Sequence, residues 1–202
     1  MKAGLLRKVA KSYAPFFSEE WKLIGSEFLR AKGDWVQFVT FNAMRGADRY
    51  VPRTGCEFLK RPGVSTASLL GEELLHARSG TQNWVAATRD PNDLFPKMCA
   101  QFFPPLQGPL EEKEIKKRLN KNLRYWPCPY VLCLISAEEG NAWKAKRYYC
   151  AYKSAVADAP WPWAKARQEE LATFLELMKT PEKLKAQLDS IRAEKLKALK
   201  LI

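Results

Sequence analysis

One stretch constrains this chain more than any other. Glu27 to Lys60 reads as strand, turn, strand, turn, strand, while nearly everything around it reads as helix. Lys32-Gly33-Asp34 is a tight-turn signal, because glycine takes positive φ without steric cost. Trp35 to Phe41 follows, dense in the β-branched and aromatic residues that suit a pleated surface. Period two puts Val36, Phe38 and Thr40 on one face and Trp35, Val39 and Phe41 on the other. Both faces are largely apolar, which predicts a central strand covered on at least part of both sides. Arg45-Gly46-Ala47-Asp48 marks the second turn. Pro52 lacks a ladder donor, so it places the third strand at an edge or breaks it with a bulge. The expected product is an antiparallel meander.

The flanking sequence is punctuated for helices. The first ends near Ala14-Pro15, since a residue before proline disfavours the α region. Trp21 to Gly25 begins the sheet region or leads into it. Ser65 or Thr66 is expected to cap a helix carrying Leu69, Leu70, Glu72, Glu73, Leu74 and Leu75, closed by Gly80. Gln82 to Thr88 is a candidate fourth strand. Asp90-Pro91 starts a helix with Leu94, Phe95, Met98 and Phe102. Pro104-Pro105 and Gly108-Pro109 bracket a loop, the clearest boundary in the chain. Beyond it the pattern is helical: Glu111 to Leu123, then an αα-hairpin of 128–137 and 141–157, then two helices begun at Trp161-Pro162-Trp163 and Thr180-Pro181-Glu182. The fold class that follows is α+β: a small antiparallel β-meander packed by helices over 1–104, with a C-terminal all-helical region over 105–202 packing on it.

A length of 202 residues allows one sizeable core with an appendage, and 47% hydrophobic with 28% charged residues is ordinary. A net charge of +12 is not. It admits anionic partners, whether nucleic acid, a membrane surface or an acidic protein, and equally a solubilising surface. Five cysteines without C-x-x-C spacing read as reduced thiols, which points to a cytoplasmic location. The basic N-terminus carries no acid before Glu19, as transit peptides do. Leu5, Leu6, Val9 and Tyr13 nevertheless fit a core-facing first helix. No apolar run reaches membrane-spanning length.

Catalytic chemistry finds little support. His76 is the only histidine and sits where a helix end is expected, a position that also suits a capping charge. Cys128 and Cys133, five apart, do not share a helix face, so no zinc set is expected. Glu72-Glu73, Glu138-Glu139 and Glu169-Glu170 are adjacent pairs, which on a helix point about 100° apart rather than together. No glycine-rich phosphate loop is present. No cofactor is expected.

Binding is better supported. The run Trp143-Lys144-Ala145-Lys146-Arg147-Tyr148-Tyr149-Cys150-Ala151-Tyr152-Lys153 combines cations and rings, as single-strand binders do. The competing reading is a buried stripe of Ala145, Tyr148, Tyr149 and Tyr152 flanked by Lys144, Arg147 and Lys153. Arg45, Arg49 and Arg53 form either a basic rim around a ligand-binding face or solvated edge charges. Trp161 is either a partner anchor or a plug where the next helix begins. The terminal helix, with Leu184, Leu188, Ile191, Leu196 and Leu199 along one flank, either folds back or docks a partner or a second copy.

The layout of Phe28, Arg30, Gly33, Asp34, Trp35, Phe41 and Gly55, with Phe58-Leu59 beyond, resembles an uncharacterised bacterial family of small α+β domains. Some members of such families look like immunity or accessory proteins in toxin loci. The resemblance implies a non-enzymatic binding domain, and the first reading is one that binds another protein as an immunity or accessory factor. The alternative is a basic nucleic-acid-binding module.

Overall fold

A computed structural model of the chain describes residues 3–63, 69–75, 79–158 and 161–202. Within it the Glu27–Lys60 stretch forms three strands: β2 (Glu27–Lys32), β3 (Trp35–Ala43) and β4 (Arg49–Phe58), preceded by β1 (Lys22–Ile24). Gly33 and Gly46 turn the chain between them with φ of +59° and +76°, a conformation other L residues rarely adopt. Two short strands, β5 (Glu72–Glu73) and β6 (Val85–Ala86), complete a six-stranded sheet of order β1-β2-β3-β4-β5, with β6 also on β4. The β2–β3 register sets Phe28 opposite Val39 and Lys32 opposite Trp35. Val36 and Phe38 are buried, as are Val39 and Phe41 on the opposite face, so β3 is covered on both sides as its pattern predicts.

Pro52 explains why β4 has two outer partners. β6 pairs with Arg49 and Tyr50, β5 pairs with Arg53 and Thr54, and the proline falls in the break between them. Pairing with β4 also overturns the helix expected across Leu69–Leu75. Leu69 N–H donates to Cys56 O and Leu74 N–H to Pro52 O, holding the segment extended. Leu69 and Leu74 are buried in that form, so sheet pairing overrides a local pattern that had read as helical. The expected cap at Ser65 or Thr66 lies outside the described residues. The fourth strand expected over Gln82–Thr88 is reduced to β6, plus a bridge between Gln82 and Leu75.

The chain divides into two compact units. The first comprises Met1–Glu57, Thr66–Glu111 and Leu201; the second comprises Phe58–Ser65, Glu112–Lys200 and Ile202. In the first, α1 (Ala3–Tyr13) and α2 (Pro91–Gln101) supply Val9, Ala10, Tyr13, Leu94, Phe95 and Met98 to a core with Phe28, Val39, Phe41 and Tyr50 of the sheet. Asp90 caps α2 by accepting from Asn92 N–H at 2.9 Å. Arg30 is a buried structural cation. It donates to Gln37 Oε1 (2.6 Å), Pro105 O (2.9 Å) and Gly108 O (2.8 Å), and its guanidinium lies 4.8 Å from the Trp21 ring centre. The loop bracketed by prolines is thereby fastened to the sheet.

The second unit is built around α4 (Pro127–Glu138), whose residues from Pro127 to Ala137 are all buried. A helix apolar all round must lie inside, and α3 (Glu112–Lys121), α5 (Ala142–Ala155), α6 (Pro162–Leu177) and α7 (Pro181–Ala198) pack against it. Polar tips are satisfied within the bundle: Tyr152 Oη donates to Ala164 O at 3.1 Å and Tyr130 Oη to Glu170 Oε2 at 2.5 Å. The flank of α7 folds back, with Leu184, Leu188 and Leu196 buried. Lys195, 3% exposed, donates to Phe58 O (3.3 Å) and Arg61 O (2.5 Å). Lys60 pairs with Glu138 and, at 3.6 Å, with Asp189. The helix bundle thus grips the segment that follows β4. Thr180 occupies the expected N-cap of α7, yet its hydroxyl bonds to Leu177 O at 3.3 Å instead of capping.

Candidate functional site

The two units share the positive charge unequally. The first holds 13 Lys and Arg against 11 Asp and Glu; the second holds 21 against 11, so +10 of the +12 belongs to the helical unit. Within it, α5 concentrates the excess: its 14 residues include Lys144, Lys146, Arg147 and Lys153 and no acid. All four cations are exposed, and none makes an ion pair among the described residues.

Helical spacing explains how α5 serves two purposes. Ala145, Tyr148 and Tyr152 lie on one face and are buried, as the packing reading predicts, with Tyr149 half-buried. Tyr148 Oη donates to Asn120 Oδ1 at 3.1 Å. Trp143, Lys146, Arg147, Cys150 and Lys153 line the other face at spacings of three and four. That stripe is about 15 Å long at the helical rise per residue. Trp143 is 68% exposed, and the Arg147 guanidinium sits 5.7 Å from its ring centre. This cation–π contact orients the ring and leaves most of it open. Lys153 is similarly placed 5.8 Å from the Tyr149 ring. Cations beside an open ring can neutralise phosphates and stack a base at once. The acid that Lys146 influences is Glu176, whose carboxyl is held below its ordinary range, chiefly by Lys179 and also by Lys146.

Trp143 and Lys146 belong to the basic-aromatic run, though the contacts expected from sequence are Lys144, Arg147 and Lys153. The signal for them was the three-and-four spacing that joins Trp143 to Arg147 and Lys146 to Lys153 through Cys150. Trp161 lies elsewhere, at the N-cap of α6. It stacks on Trp163 at 5.0 Å and 13°, and Trp163 lies 4.6 Å from Trp126, which meets Tyr152 edge-on. Trp161 and Trp163 remain 49% and 38% exposed. The pair both covers the start of the helix and presents an aromatic surface.

The candidate arginines Arg45, Arg49 and Arg53 of the first unit separate. Arg45 and Arg49 are exposed on either side of the Gly46 turn, while Arg53 is half-buried on β4. Arg53 lines a cleft of about 690 Å³ with Gly71, Glu72, Glu73, Leu75 and Gln101.

His76 lies outside the described residues. Among those described, no group of three or more His, Cys, Asp or Glu is placed to hold a metal ion. Burial pushes the Cys128 and Cys133 thiols up to about 12, so neither is a thiolate at neutral pH. No described helix is long and apolar enough to cross a membrane. Comparison with known proteins found no matching family model, no matching curated protein and no matching solved structure.

Proposed function

We propose that this chain is a non-enzymatic binding protein whose helical unit holds single-stranded nucleic acid along the exposed face of α5. The observation that carries the reading is the acid-free stripe of Trp143, Lys146, Arg147 and Lys153, with its open ring set beside cations that make no ion pair among the described residues. Single strands suit it better than duplex, because an exposed ring has a use only where bases are unstacked. Fluorescence anisotropy with labelled mixed-sequence single strands and a matched duplex tests it. Engagement of Lys146, Arg147 and Lys153 gives a log–log salt slope of about −2 for single strands. Absence of binding at low salt contradicts the reading.

A second reading, a protein partner, is favoured by the stacked and exposed Trp161–Trp163 pair. Tryptophan and arginine dominate interface hot spots, and a pre-stacked pair loses little side-chain entropy on docking. The resemblance to immunity-like domains agrees with it. Trp161→Ala with Trp163→Ala abolishes crosslinking to such a partner under this reading, while changes on α5 leave it intact.

A further inference from the structure

The cleft beside Arg53 belongs to the first unit alone and is independent of the α5 face. Its chemistry starts from strand register. Arg53 pairs with Glu73 across the antiparallel β4–β5 ladder, so both side chains leave the same face of the sheet as direct neighbours. Opposite charges so placed ordinarily pair. These do not. The Gln82 side-chain amide donates to the Glu73 carboxylate. The Arg53 side chain makes no hydrogen bond or ion pair among the described residues, and its Nε is buried without a partner. A guanidinium charge beside a cleft without a carboxylate partner is available to an anionic ligand group.

The remaining walls narrow the ligand. Glu72 Oε2 accepts from Phe103 N–H at 2.9 Å, and Gln101 Oε1 accepts from Leu75 N–H at 2.9 Å, which fixes both side chains at the rim. Leu75 is 40% exposed and offers an apolar wall. A simple anion meets two carboxylates here, and a simple cation meets Arg53. A molecule with both charges satisfies the two ends together. A cleft of about 690 Å³ is of the size that small-molecule sites occupy.

We propose that this cleft binds a free α-amino acid with an apolar side chain. Its carboxylate meets the terminal nitrogens of the Arg53 guanidinium, its ammonium meets Glu73, and its side chain lies on Leu75. L-leucine is the probe, with N-acetyl-L-leucine lacking the ammonium and L-leucinamide lacking the carboxylate. Titration followed by NMR at the Arg53 Nε–H resonance gives a saturable shift with leucine and binding at least about tenfold weaker for each blocked compound. Glu73→Gln, checked for folding by its backbone spectrum, removes the preference for leucine over N-acetyl-leucine. Arg53→Lys keeps the charge, loses the planar fork of donors and weakens leucine at least as much. An Arg53 resonance unmoved at every leucine concentration overturns the proposal. So does one moved equally by all three compounds.

Discussion

The Arg147 guanidinium lies 5.7 Å from the centre of the Trp143 ring, one helical turn away on the exposed face of α5. Neither side chain contributes to the buried core of the bundle. That separation lets binding and folding be tested apart. Trp143→Ala weakens single-strand binding by about 1–3 kcal/mol, the usual worth of a base on an aromatic platform. Its effect on unfolding stays within about 0.5 kcal/mol, as for other surface changes. Anisotropy and urea melts on the same variant read both quantities.

The buried cation of α7 behaves in the opposite way. Lys195→Met leaves the carbonyls of Phe58 and Arg61 without their ammonium donor. Loss of about 2 kcal/mol in unfolding free energy follows, from desolvated acceptors rather than from lost charge. Nucleic-acid affinity is unchanged once the variant is folded.

Thiol reactivity reports the same architecture. Cys150 is exposed on α5, whereas Cys128 and Cys133 are buried on α4 with pKa values pushed up to about 12. Iodoacetamide at mild pH, followed by mass spectrometry, is expected to modify Cys150 first. Burial also raises Cys99, which reacts later, and the α4 thiols react only after denaturant is added. Bound single strand slows Cys150, because that sulfur lies within the proposed interface.

Those thiols also set an alkaline limit. Their folded pKa values lie above the ordinary value of 9.0, and burial likewise carries Tyr152 from 10.0 to about 12. The folded state therefore holds these protons more tightly than the unfolded chain does. Their contribution to stability is complete below pH 9 and is lost as pH climbs from 9 through about 12. Urea midpoints measured across that range fall, and Cys128→Ala with Cys133→Ala makes the fall shallower. A midpoint that rises with pH there contradicts the assignment.

Much of the architecture was legible because local chemistry and tertiary structure agree. Gly33 and Gly46 mark the meander turns, Asp90-Pro91 and Thr180-Pro181 mark helix starts, and Ala145, Tyr148 and Tyr152 mark the buried side of α5. What was not legible depends on partners distant in sequence. The segment of Leu69, Leu70, Leu74 and Leu75 looks helical until β4 pairs with Glu72 and Glu73 within it and accepts from Leu69 and Leu74 N–H. The positive charge looks evenly spread until the fold assigns Phe58–Ser65 and Glu112–Lys200 to one unit. Arg53 resembles Arg45 and Arg49 in sequence, and pairing of β5 beside it is what places it in the wall of a cleft.

The central claim is that binding belongs to one face of α5 and not to the excess of charge in general. Two triple variants of equal net charge separate these: Lys146, Arg147 and Lys153 each to Glu, against Lys183, Lys185 and Lys197 of α7 each to Glu. Single-strand affinity measured at one moderate salt concentration falls at least about a hundredfold for the α5 variant and less than about tenfold for the other. Equal losses in both variants contradict the account.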